Sequence, residues 1–309
     1  MPRVRIAALA VLAATALAGC GDGGDAGAAV ASGNAAACPG TVLDVVVSVG
    51  QWGDVVRRLA GDCATVTTIV ASSAVDPHDF DPRTSDLAAF ARADLVVLNG
   101  AGYDHWAQDA LAAADPAPAV VSAAEVAGVP DHGADPHLWY DPAAVQKTAA
   151  AVTRELSSLT PDAAAYLADR ASTWQADLRP YLAAVQQLRR TAAGHTYAAT
   201  ETVFDRMAAA VGLTDVTPER YRRAASNEGE PSPGGLTEFT TALGDGAVDV
   251  LVYNIQTSGT VPEELRSAAE KADVPVVEVT ESPPKDGGSF VSWQLAQLEA
   301  LSAALGASS

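Results

Sequence analysis

Two histidines stand in almost matching settings: Asp76-Pro77-His78-Asp79-Phe80-Asp81-Pro82 and, further along, Asp135-Pro136-His137-Leu138-Trp139-Tyr140-Asp141-Pro142. Proline fixes its own φ and steers the preceding Asp into extended backbone, so each histidine leaves a stiff turn in a set direction. That stiffness suits a metal ligand. An aromatic two positions after each histidine can wall a site, and the second Asp-Pro supplies an Asp cap and an N1 proline for a helix. One copy alone reads better as an ordinary helix start. Two copies, holding two of the five histidines in the chain, point to a shared site.

The elements around these turns alternate. Val42 to Val49 reads as a strand, Trp52 to Ala60 as a helix and Val66 to Val70 as a strand. Helix, strand, helix and strand follow over Ser85–Ala91, Leu95–Leu98, Asp104–Ala114 and Ala119–Val121. Such alternation predicts a parallel sheet covered by helices. Asn99-Gly100-Ala101-Gly102 lies between a strand and a helix, but it lacks the third glycine of a dinucleotide loop, so no nucleotide site is assigned there. A helix from Pro142 to about Leu159 is followed by a longer one opened by Thr160 as N-cap and Pro161 at N1. Its apolar stripe of Leu167, Ala171, Trp174, Leu178, Tyr181, Val185 and Leu188 predicts a single rod of about 30 residues, which Pro180 should bend. The alternation then resumes. Strands are expected at Tyr197–Thr200, Val248–Tyr253 and Val276–Val279, with helices at Thr202–Val211, from Pro233 to Leu243, at Pro262–Ala272 and at Ser289–Leu305. The fold class is α/β: two parallel-sheet lobes joined by a long spine helix.

The first nineteen residues carry Arg3 and Arg5, an apolar run from Ile6 to Ala18, and then Leu17-Ala18-Gly19-Cys20. The run is too short to span a bilayer and has the order of an export signal, with a lipobox-like cleavage point. Cys20 is expected to carry lipid and tether the chain to a membrane surface. Residues 21–37 are mostly Gly, Ala, Ser and Asp with little to pack, which predicts a flexible tether. The remaining cysteines, Cys38 and Cys63, are expected to pair in an oxidising compartment, with a thiolate metal pair as the alternative. The expected division is signal peptide 1–19, tether 20–37, first lobe 38–159, linking helix 160–191 and second lobe 192–309. A formal net charge of −19 argues against nucleic acid as a partner.

In open parallel sheets, ligands gather beyond the carboxyl ends of the strands. That rule takes His78 and His137 from loops of the first lobe and Glu201 and Glu281 from strand ends of the second. Two imidazoles and two carboxylates suit a first-row divalent cation. Here the sequence resembles the zinc and manganese solute-binding proteins of ABC importers, with a TroA-like fold. The stretches that carry the resemblance are the lipobox, Asp76-Pro77-His78, Ala93-Asp94-Leu95-Val96-Val97-Leu98-Asn99-Gly100, Asp135-Pro136-His137-Leu138-Trp139, Thr200-Glu201-Thr202-Val203-Phe204, Glu230-Pro231-Ser232 and Thr280-Glu281-Ser282. They run in family order over essentially the whole mature chain.

The resemblance implies a monomeric, extracytoplasmic, lipid-anchored receptor. It would hold one metal on His78, His137, Glu201 and Glu281 and deliver it to an ABC permease. Glu201 stands where zinc members often have histidine and manganese members often have glutamate, and Glu281 replaces the usual aspartate. Two carboxylates favour Mn²⁺ or Fe²⁺ relative to a three-histidine site, while the Irving–Williams order keeps Zn²⁺ a close alternative. His195, His105 and His132 read as structural or surface residues, and Asp79, Asp81 and Asp141 as caps. Two other classes compete. A secreted hydrolase would need an open metal position and a general base, and the chain has no His-Glu-x-x-His stretch. An anchored adhesin, or a receptor for another solute, would ignore Mn²⁺ and Zn²⁺.

Overall fold

The computed structural model describes residues 28–72, 80–226, 229–257, 259–284 and 288–306. His78 and Cys20 lie outside these described residues. The first sheet contains β1 (Ala29–Ala31), β2 (Leu43–Val49), β3 (Ala64–Val70), β4 (Leu95–Leu98) and β5 (Ala119–Ser122), in the spatial order β1-β3-β2-β4-β5. Between and after its strands come α1 (Gly50–Ala60), α2 (Thr84–Phe90), α3 (His105–Ala112), α4 (Ala123–Ala127) and α5 (Pro142–Leu159). Central β2 pairs in parallel with β3 and β4 and is buried along nearly its whole length. Its valine run follows from having packed neighbours on both faces.

The helix α6 (Ala164–Thr191) is 28 residues long, about 42 Å at 1.5 Å per residue. Its buried stripe is Leu167, Trp174, Leu178, Tyr181, Val185 and Leu188, with Ala171 half-buried, and Pro180 lies within the uninterrupted helix. The second lobe follows with β6 (Thr196–Ala199), α7 (Asp205–Val211), β7 (Thr214–Asp215), α8 (Glu219–Ala225), α9 (Pro233–Gly244), β8 (Val250–Asn254), α10 (Thr260–Lys271), β9 (Val276–Val279) and α11 (Phe290–Ala304). Its sheet order is β7-β6-β8-β9, all parallel. The spine packs against α1 and α5 of the first lobe and α7 of the second.

Strand period explains how the second sheet joins the molecule. Tyr197, Ala199, Val250, Val252, Val277 and Val279 belong to a core continuous with the first lobe, whereas Ala198, Leu251 and Val276 turn to a separate cluster around Tyr221, Phe239 and Leu265. Successive side chains point to opposite faces, so one sheet serves two cores.

Four local expectations need revision. The tether expected up to Ala37 is shorter, because Ala29–Ala31 pairs antiparallel with β3 as an edge strand. Backbone pairing at a sheet edge needs no apolar alternation, so composition concealed it. Thr160 does not cap the spine through its side chain: its Oγ1 accepts from the Thr41 amide at 3.0 Å, and residues Pro161–Ala163 form a 3₁₀ turn before α6. The helix expected over Thr202–Val211 likewise starts as a 3₁₀ turn, Thr202–Phe204, before α7. Finally, α11 does not stay within the second lobe. It packs along α6 and α1, Phe290 contacts the rings of Trp174 and Tyr181, and the Phe290 amide donates to Asp54 Oδ2 at 2.9 Å. Cys38 and Cys63 are disulfide-bonded, with Cα atoms 4.9 Å apart.

Candidate metal centre

In each lobe the chain reverses direction through the sheet at one place. It moves outward on one side from β2 to β3 before returning beside β2 as β4, and likewise from β6 to β7 before returning as β8. Crevices open at such switch points beyond the strand ends. Gln51, Asn99 and Tyr103 follow β2 and β4, Glu201 follows β6, Asn254 ends β8, and Glu281 follows β9.

His137 sits on the turn between α4 and α5. Asp135 Oδ1 accepts from the His137 amide at 3.0 Å and lies 2.6 Å from its Nδ1. A carboxylate only accepts, so Nδ1 carries a proton, and in the neutral ring Nε2 then keeps its lone pair, the arrangement found behind many metal-bound imidazoles. Nε2 faces the other lobe, 4.0 Å from Glu281 Oε1. The Trp139 ring stands edge-on at 5.3 Å, and Pro136 O accepts from Asn99 Nδ2 at 2.9 Å, which ties the turn to the end of β4. Asp141 then caps α5, accepting from the Ala143 and Ala144 amides. Burial alone would push the His137 pKa down, but the Asp135 hydrogen bond and the charges of Asp135, Glu281 and Glu201 outweigh it and leave the ring above ordinary histidine. Burial raises Asp135 too, but its hydrogen bonds with His137 and the charges of His137 and Arg206 bring its carboxyl below the usual range.

The two glutamates are held by different means. Asn254 Nδ2 donates to Glu201 Oε2 at 2.6 Å, while burial, reinforced by the charge of Glu281, raises the Glu201 pKa. The Tyr103 hydroxyl donates to Glu281 Oε1 at 2.6 Å, and Gln51 Nε2 donates to the Tyr103 oxygen at 2.9 Å and to the Glu281 carbonyl at 3.2 Å. The two bonds to Glu281 cross between lobes. His137, Glu201 and Glu281 all line one cavity of about 1170 Å³, with His132 on its wall. Among the described residues no three His, Cys, Asp or Glu side chains are drawn into a cluster able to hold an ion. His195 is elsewhere, beside Asp249 Oδ2 at 3.4 Å.

The Asn99-Gly100-Ala101-Gly102 turn is filled from within. Positive φ at Gly100, Ala101 and Gly102 curls it around buried Asp104, which accepts from the Asn99 amide at 2.7 Å, the Gly100 amide at 2.8 Å and the Ser48 hydroxyl at 2.5 Å. The backbone donors a phosphate would need are spent on this carboxylate. Sequence reasoning missed Gln51, Tyr103, Asn254 and Arg206. The strand-end rule reaches Asn254 and Tyr103, but nothing local marks Gln51 or Arg206.

Two parallel-sheet α/β lobes, a helical spine and a carboxylate-rich interlobe cleft define a solute-binding protein of the TroA-like class. A family model described as the periplasmic zinc-uptake complex component A matches residues 45–304. The chain belongs to that family, the metal-binding receptors of ABC importers, and is a binding protein and not an enzyme. It is 30% identical over 143 residues to the manganese-binding lipoprotein MntA of Halalkalibacterium halodurans, a match covering 45% of this chain and about half (47%) of that relative. It is 24% identical to the high-affinity zinc uptake system protein ZnuA of Bacillus subtilis over 246 residues, covering 74% of this chain and 76% of the relative. Among solved structures, the periplasmic zinc-binding protein TroA of Treponema pallidum superposes with a TM-score of 0.71 at 19% identity, over 84% of this chain and 98% of the other, which shows the shared fold.

Proposed function

We propose that this protein captures one divalent transition-metal ion between its lobes, with His78, His137, Glu201 and Glu281 as ligands, and delivers it to the permease of an ABC importer. The observation that supports this most is that an imidazole from one lobe and two carboxylates from the other line one cleft, with His137 Nε2 already 4.0 Å from Glu281 Oε1. In the absence of a cation the two second-lobe carboxylates repel each other, and an ion held by them and by His137 of the first lobe also draws the lobes together. Mn²⁺ is the favoured cargo, with Zn²⁺ the close alternative and Fe²⁺ third, because two carboxylates harden the site relative to imidazole alone. Relatives carry both manganese and zinc in their names. The receptor works outside the cytoplasm as a monomer, anchored through lipidated Cys20, with lobes over 38–159 and 192–309 and the linking helix over 160–191. Elemental analysis of the protein as isolated, with Mn²⁺ and Zn²⁺ titrations of His78→Ala, His137→Ala, Glu201→Ala and Glu281→Ala, tests the ligand set. Undiminished binding by any one variant removes that residue from the set.

A further inference from the structure

Arg206 is the second residue of α7, in the second lobe, yet its guanidinium reaches the turn that carries His137 in the first. Its Nε donates to the Asp135 carbonyl at 3.1 Å, and Nη2 donates to the same oxygen. Nε also lies 3.3 Å from Asp135 Oδ2, and Nη1 stands 4.0 Å from Asp141 Oδ2. One side chain thus touches both acidic ends of Asp135-Pro136-His137-Leu138-Trp139-Tyr140-Asp141. The two carboxylate oxygens of Asp135 have separate duties: Oδ2 faces Arg206, and Oδ1 holds the His137 amide and Nδ1. The Arg206 and Asp135 side chains are only 18% and 26% exposed, so few solvent-directed alternatives compete with the contact.

A guanidinium is a planar fork whose donors fix the orientation of the group they grip, which a point charge does not. With the Asp135 carboxylate so oriented, the imidazole is held in the Nδ1–H form and its Nε2 faces the cleft. We infer that Arg206 is a positioning residue for metal capture: reaching across from the second lobe, it clamps Asp135 and thereby aims His137. The inference rests on His137 being a ligand, and it couples the aim of that ligand to the presence of the opposite lobe. A local Asp–His pair could not do this.

The test uses the full chain, titrated calorimetrically with Zn²⁺ and with Mn²⁺, for wild type, Arg206→Gln, Arg206→Lys, Asp135→Asn, the Arg206→Gln/Asp135→Asn double variant and His137→Ala. ¹⁵N NMR of the His137 ring in the metal-free proteins reports the tautomer. Arg206→Gln is expected to weaken binding about tenfold, as for other groups that orient a ligand, and to turn a single Nδ1–H tautomer into a mixture. The double variant should bind no more weakly than Asp135→Asn alone, since Arg206 acts through Asp135. Wild-type affinity with an unchanged tautomer in Arg206→Gln, or a double variant whose loss is the product of the two single losses, overturns the inference. Should Arg206→Gln fail to fold, Arg206→Lys decides: a several-fold loss with mixed tautomers supports the clamp, and wild-type values on both readouts overturn it. Unchanged binding by His137→Ala would instead strike at the ligand assignment, separately from the clamp.

Discussion

Replacing Tyr103 by Phe isolates one hydroxyl. The ring is fully buried and packs 4.9 Å from Trp139, contacts that Phe retains. What disappears is the 2.6 Å bond to Glu281 Oε1 and the acceptor for Gln51 Nε2, which keeps only the Glu281 carbonyl at 3.2 Å. A hydrogen bond to an ionised group contributes about 1.5–3 kcal/mol. Because this one joins the lobes, its loss should lower the stability of the metal-free protein by about 2 kcal/mol. In a chain of this size, with an unfolding entropy of about 2.1 cal/mol/K per residue, that is roughly 3 °C in melting temperature. Glu281 also loses the group that orients it, so Zn²⁺ and Mn²⁺ affinities should fall about tenfold, the lower end for removal of a ligand's hydrogen-bond partner. Differential scanning calorimetry of the metal-free protein and isothermal titration of both metals measure the two effects. A Tyr103→Phe protein that melts and binds like wild type would refute the reasoning that this hydroxyl holds Glu281 for the ion.

Acid should weaken metal binding early. His137 and Glu201 both hold their protons more tightly than free side chains do, so the ion competes with protons at higher pH than ordinary values imply. Affinity should already decline below about pH 7, and a constant value down to about pH 5 contradicts this. Breaking the Cys38–Cys63 bond by a double Ser substitution frees a loop of sequence separation 25. On the chain-entropy model this costs about 3–4 kcal/mol, to be read from urea midpoints. Asp104→Asn sets an NH₂ group against donors in the turn that ends β4, where the acid accepts from the Asn99 and Gly100 amides. It should cost about 1–3 kcal/mol in denaturant titrations, and an unchanged midpoint would mean the turn has another acceptor. Scattering with and without metal should show only a small closure, because the core runs continuously from the first lobe through the spine into one face of the second sheet. A large change in radius of gyration would argue against that core staying intact.

Several parts of the molecule were written in short stretches of chain. The apolar run Leu95–Leu98 and the valine-rich run Val276–Val279 fall on β4 and β9 residue for residue, Asp141 and Ser232 cap the helices they precede, and the apolar spacing around Trp174 predicts the buried face of the spine. Each signal depends on neighbours within about one or two turns, where strand and helix periods act directly. The strand-end rule likewise takes Glu201 and Glu281 to the cleft that His137 faces.

Sequence by itself determined the alternation of strands and helices, the spine and the polar residues at the strand ends, because local backbone preference and periodic burial fix them. Only the tertiary structure decided which groups hold those residues. Tyr103 meets Glu281 across 178 positions, Arg206 meets Asp135 across 71, and Asn254 meets Glu201 across 53. It also laid Ala29–Ala31 along β3 and turned α11 back onto α1 and α6. Contacts of that range leave no periodic trace in the chain, since a single side chain makes each bond and its partner is chosen by how the two lobes pack.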